Sequence, residues 1–285
     1  MDTPDTGKGP ALPDVPGNRQ IPGTPRMTLV VIPLLISAIW IIELYLLVAD
    51  PGLLFHYDPA GIVLYTLLAS IAVGIAIPLI RIRVAFMSGD VNMFQIGFCP
   101  ARRTIPLVII TLAAAYSVLW LVSPSFEIRA GIVGSALVLL PTAIAAVMIC
   151  WAYYGTHIQA YVRSGGIIVS VSTGVILTAL VFAITMTVFF PGIAARETFL
   201  AYLLLGAVAA LFFFAAREIY STVILVCAGL SHIIGPSLDP VYLSFSSPAG
   251  ILCGLFSLAV LVGVHIWLSL HYTTILVGKT GKPAP

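Results

Sequence analysis

The sequence predicts an all-α protein, a polytopic transmembrane helical bundle of about eight spans, on three observations. Lys and Arg number 13 and Asp and Glu 11 among 285 residues, so only 8% are charged while 60% are apolar. Water-soluble domains carry roughly a quarter charged residues. Mean hydropathy is +1.11, and uncharged stretches recur near the ~20 residues needed to cross a ~30 Å hydrocarbon layer. The cationic residues, finally, fall in alternate connections rather than at random, as the retention of positive loops in the cytoplasm requires.

Taken in chain order, residues 1–26 hold six Pro and four Gly without apolar periodicity. They cannot bury enough surface to offset the entropy of ordering, and are expected to form a disordered cytoplasmic tail. The first apolar run is too long for a signal-peptide core. Spans are expected at about 27–49, 60–80, 105–122, 130–154, 167–190, 198–216, 219–236 and 249–270, making 27–270 the membrane domain and 271–285 a short cytoplasmic tail. Proline closes the outward-running helices because it cannot continue one. Arg217 and Glu218 are the sole break in the apolar run from Phe199 to Ile234. Unbroken, that run would measure about 54 Å, nearly twice the hydrocarbon thickness. A tight hairpin is the better reading, and one long helix with seven spans is the alternative.

With eight spans, one side of the membrane receives eleven Lys and Arg residues and the other only Arg129 and Arg196. Both termini are therefore placed in the cytoplasm, with the cell membrane as the location. A candidate hairpin repeat links Asp50-Pro51 and Pro59-Ala60-Gly61-Ile62 with Asp239-Pro240 and Pro248-Ala249-Gly250-Ile251. Low-diversity apolar composition is the competing explanation.

Glu43 is the only acidic residue well inside a span, where an unpaired carboxylate is costly. It lies eight residues before Pro51, as His232 does before Pro240 and Tyr116 before Pro124. Three outward helices thus place a hydrogen-bonding group roughly 10 Å below their outer ends. Glu43, Tyr116 and His232 form the candidate outer-half polar site, with Glu43 as proton or cation acceptor. Ordinary packing and interfacial anchoring are the alternatives for the other two. The loop 81–104 carries Arg81, Arg83, Arg102 and Arg103 around an apolar middle. These cations are candidates for binding anionic lipid head groups, and they also serve as topology anchors.

Other chemistry is sparse. The four cysteines show no metal-ligand spacing and read as apolar packers. His157 with His265 or His271 is the nearest candidate pair for haem ligation, although no cofactor or metal is expected. Ser170, Thr173, Thr178 and Thr185 share one face of the fifth span, and bonding of such hydroxyls to helix carbonyls is favoured over a pore lining. Ser70 with Gly74, and Gly250 with Gly254, are small patches suited to close helix approach. No HExxH, Walker A or GxSxG motif occurs. The small, dispersed net charge of +2 excludes a nucleic-acid partner.

These features point first to a permease- or channel-like component for a small or apolar solute, proton-linked through Glu43. The alternatives are a non-catalytic subunit of a membrane complex and a membrane-embedded enzyme acting on lipid. Expected partners are the bilayer, anionic head groups, and other membrane proteins or further copies of the chain.

Overall fold

A computed structural model describes residues 28–47, 58–88, 93–122, 126–162, 165–190, 196–234 and 248–280. The expected tail at 1–26 and the loop segments bearing Pro51, Pro124 and Pro240 lie outside them. Among the described residues there is no strand, and nine helices follow one another. They are α1 (Thr28–Leu47), α2 (59–88), α3 (Ala101–Val122), α4 (Phe126–Val138), α5 (Leu140–Val162), α6 (Ile167–Phe189), α7 (Arg196–Ala216), α8 (Ile219–Ile234) and α9 (Pro248–Thr280). A single helical turn, Met93–Ile96, precedes α3.

All eight expected spans contain helix over their described residues. Five segments are long and apolar enough to cross a bilayer, and a sixth is obtained when α4 and α5 count as one bent span. The apolar parts of α1 and α8, Val30–Leu46 and Ile219–Ile234, are shorter. Leu46, Leu121 and Ile167 are 71%, 82% and 80% exposed, a surface that hydrocarbon accommodates and water does not. The chain is an integral membrane protein.

Local chemistry explains the element ends. Asp58 caps α2, its carboxylate accepting the N–H groups of Ala60 (3.1 Å) and Gly61 (3.2 Å), with Pro59 as the first helical residue. Between α7 and α8, Arg217 adopts φ 52° and donates its N–H to the Phe213 carbonyl at 2.6 Å, a left-handed helix cap. A Cβ added to Gly229 would meet Leu205 Cδ1 at 2.4 Å. Leu205 and Gly229 lie at nearly equal distances before and after the break, so the two helices run back side by side. The hairpin holds, and the single long helix does not.

The fourth expected span needs correction. It is not one rod over 130–154, because the chain bends by 55° between α4 and α5. Pro141 has no N–H for the Leu137 carbonyl four residues earlier, and its ring crowds that carbonyl. Gly254 of α9 packs onto the same oxygen, where an added Cβ would lie 2.2 Å away. Only glycine admits this approach. The last helix likewise runs past the expected end at 270, as far as Thr280.

Beyond the bend, α5 fills the centre. Every residue from Val138 to Gln159 is buried, as expected of a helix that is apolar on all sides and surrounded. It packs on α1, α2, α6, α8 and α9, while α6 and α7 form the most extensive pair. Two stretches are π-helical, Thr66–Ala76 within α2 and Val147–Gly155 within α5. The first packs closely on the start of α5, so that a Cβ on Gly74 would fall 2.5 Å from Ala145 Cβ.

Candidate functional site

Ile36, Trp40 and Leu44 recur at four-residue intervals and form the buried stripe of α1. Ile39 and Ile42 are more than half exposed, and Glu43 is half-buried at the boundary. Between this edge and α2 lies an open groove of about 390 Å³ lined by Ile39, Ile42, Glu43, Leu46, Leu68 and Val73. Glu43 is its one ionisable wall residue. Its Oε2 is buried and accepts no hydrogen bond from the described residues. The fully buried Tyr65 lies close enough to Glu43 for the two to interact electrostatically. The Tyr65 hydroxyl is already committed to Thr142 Oγ1, at 2.7 Å, and its ring stacks on Phe189 at 5.5 Å. The π-helical stretch of α2 begins at the next residue, and such turns are frequent at functional sites.

The other two outer-half candidates sit elsewhere around the bundle. Tyr116 is 59% exposed on α3 and packs against Trp120, whose ring carries Arg129 at 3.9 Å. His232 is half-buried on α8, a helix that packs on α3, α4, α5 and α7. By contrast α1 packs on α2, α5 and α6. Among the described residues, the polar group that packing of α1 on α2 brings into electrostatic range of Glu43 is Tyr65, itself paired with Thr142. Neither was marked in the sequence. Tyr65 lies early in an apolar span, and its link to Glu43 follows from the packing of α1 on α2.

At the opposite end of the bundle the arginines have partners within the chain. Arg81 lies beside Tyr153, and Arg83 stands over the Trp267 ring at 5.6 Å. Arg103 donates to the Ala216 carbonyl at 2.7 Å and covers the Phe94 ring at 4.7 Å. Arg102 is exposed. Arg217, absent from the expected site, is the most engaged. It donates to the Gln95 carbonyl at 2.9 Å and to Gln159 Oε1, and its guanidinium lies over the Phe214 ring at 5.3 Å. Burial pushes its pKa down, and the oxygen acceptors offset that cost of desolvation.

Around Arg217 the backbone is tied as well. The Cys99 thiol donates to the Arg217 carbonyl (2.9 Å), and the Ile219 N–H to the Gly97 carbonyl (3.1 Å). Gly97 has φ +96°, and a Cβ there would lie 2.9 Å from the Phe213 ring. Glu218 is fully buried and accepts the N–H groups of Tyr220 (3.2 Å) and Ser221 (2.5 Å), capping α8.

The imidazoles are committed separately. His157 Nδ1 lies 2.7 Å from the Tyr153 carbonyl, and His265 Nδ1 lies 3.0 Å from the Tyr220 hydroxyl. The His271 side chain is outside the described residues. Among the described residues no three His, Cys, Asp or Glu side chains gather as metal ligands. On α6, Thr178 and Thr185 bond back to the carbonyls of Gly174 (2.8 Å) and Val181 (2.7 Å), and Ser170 reaches the Gln159 carbonyl (3.1 Å). Of these three, only Ser170 bonds to another helix. Comparison with protein-family models, with characterised proteins and with solved structures finds no match for this chain.

Proposed function

We propose that the chain is a permease-like membrane component that takes up a small, largely apolar solute sideways from the bilayer, at the groove beside Glu43. The observation that carries this reading is the buried, unpartnered Glu43 Oε2 in the wall of an otherwise aliphatic groove. The centre of the bundle is occupied by α5, so a route along α1 and α2 fits better than an axial pore. Intramembrane carboxyls commonly mark solute and proton pathways, and in this reading Glu43 alternates between holding a proton and holding the solute, which links transport to the gradient. The lopsided arginine distribution supports cytoplasmic termini. The shared Pro-Ala-Gly-Ile openings of α2 and α9 support a duplicated hairpin.

A nonpolar diazirine probe added to the protein in phosphatidylcholine vesicles tests the reading. Labelling should concentrate at Ile42 and Leu68 relative to Ile110 and Leu112 on α3, and Leu68→Trp should abolish the excess. Labelling spread evenly over all lipid-facing residues rejects the groove.

A second reading, a non-catalytic subunit, draws on α3. Only 11% of its span is buried within the chain, against 50% for the span of α2. Native mass spectrometry in detergent distinguishes the two. A stable multimer that dissociates on Leu112→Arg would favour assembly through α3, and a monomer favours the groove.

A further inference from the structure

Resting on the groove reading above, we propose that the solute is a single-chain lipophilic amine, carried as its ammonium, with its head on Glu43 and its alkyl tail along the α1–α2 groove. The head group follows from what Glu43 lacks. A carboxylate oxygen buried in hydrocarbon without a donor is expensive, and the nearby Tyr65 hydroxyl is paired with Thr142 Oγ1 rather than with Glu43. The arginines of α2 and α3 and of the α7–α8 break sit at the other end of the bundle, on Tyr153, Trp267, the Ala216 carbonyl and Gln159. No lysine occurs inside any span.

The tail follows from the rest of the wall. Ile39, Ile42, Leu46, Leu68 and Val73 offer neither donor nor acceptor, so they reward only apolar area. A volume of about 390 Å³ falls in the small-molecule range of roughly 300–1,000 Å³. A neutral alcohol of equal length would supply one hydrogen bond. An ammonium supplies the bond and the opposite charge together, and charge-assisted bonds are about twice as strong.

Depth selects a free amine over a lipid head group. Glu43 lies a full helical turn inside Leu47, the last described residue of α1, roughly 6 Å along the helix axis. An aminophospholipid is held at the interface by two chains and would have to bury its phosphate to reach that depth.

The test uses the full-length protein in phosphatidylcholine vesicles, with the diazirine probe displaced by decylamine or by decanol. Decylamine should displace the probe at about tenfold lower concentration than decanol. Glu43→Gln should erase that difference while the probe still labels the groove, and Glu43→Asp should retain part of it. Leu68→Trp should exclude the probe and both competitors without touching the acid. Equal displacement by amine and alcohol in the unaltered protein overturns the amine and leaves the groove reading standing. Absence of groove labelling sinks that reading itself. Phosphatidylethanolamine that competes with decylamine would make the head group lipid-borne and overturn the free amine.

Discussion

At the arginine end, Arg217, the Gln159 amide oxygen, Gln95, Cys99 and Glu218 close on one another and on backbone groups, leaving only the neutral Gln159 Nε2 and Ser221 Oγ without partners, whereas at the Glu43 end the buried atom that meets no donor among the described residues belongs to a carboxyl. The first set satisfies the carbonyls and N–H groups that helix termini leave open, and that accounts for its residues structurally. The second leaves an ionisable group uncommitted within an aliphatic wall, which costs more than a neutral polar atom left unpaired. Between the two ends the bundle is held together differently, by backbone-close packing such as Gly254 on the Leu137 carbonyl and Gly74 on Ala145. Polar bonds at one end therefore report on stability, and the lone acid at the other reports on binding.

Arg217→Ala should break this contrast most visibly. It removes two charge-assisted bonds and leaves the buried Gln159 amide oxygen without its donor, a loss of about 3 kcal/mol. Thermal unfolding in detergent measures it. Arg217→Gly loses the same bonds but relieves the positive φ, and should recover about 1 kcal/mol relative to alanine. If both variants unfold with the unaltered protein, the arginine network is ornamental.

Gly254→Ala probes the other kind of cohesion. Its methyl would sit 2.2 Å from the Leu137 carbonyl, which is backbone and cannot swing aside, so α9 must move off the α4–α5 bend. A loss of about 2 kcal/mol is expected, again from thermal unfolding. Glu218→Gln comes next. The amide keeps one acceptor for the α8 cap and forfeits the charge that favours a helix N-terminus, so about 1 kcal/mol should be lost. Salt should reduce that difference little, because Glu218 is fully buried.

Much of this was legible in the amino-acid order, within a definite limit. A break in an apolar run can be counted, so the α7–α8 hairpin at Arg217-Glu218 was placed correctly along the chain. Local chemistry was readable too: Gly74 and Gly254 make the close approaches expected of small residues, and the α6 hydroxyls bond to carbonyls. Pro141 signalled the bend, but continuous apolar composition concealed it. What could not be counted is which helix stands beside which. Gln159 finds Arg217 across 58 residues and Gln95 finds it across 122, and no periodicity announces either. For the same reason Tyr65, not His232, turned out to be the neighbour of Glu43.

Glu43→Gln should have the smallest effect on stability and is therefore the sharpest test of the comparison. The amide is nearly isosteric, the Oε2 position makes no bond to lose, and the change removes an acid from a largely apolar wall. Unfolding should shift by less than about 0.5 kcal/mol, or the protein should become slightly more stable. A loss approaching that of Arg217→Ala would mean that the carboxylate has a structural partner within the chain, and the ends would no longer differ in kind. Unchanged stability with lost discrimination between decylamine and decanol would confine the role of Glu43 to binding, because the same substitution would then have altered recognition without altering the fold.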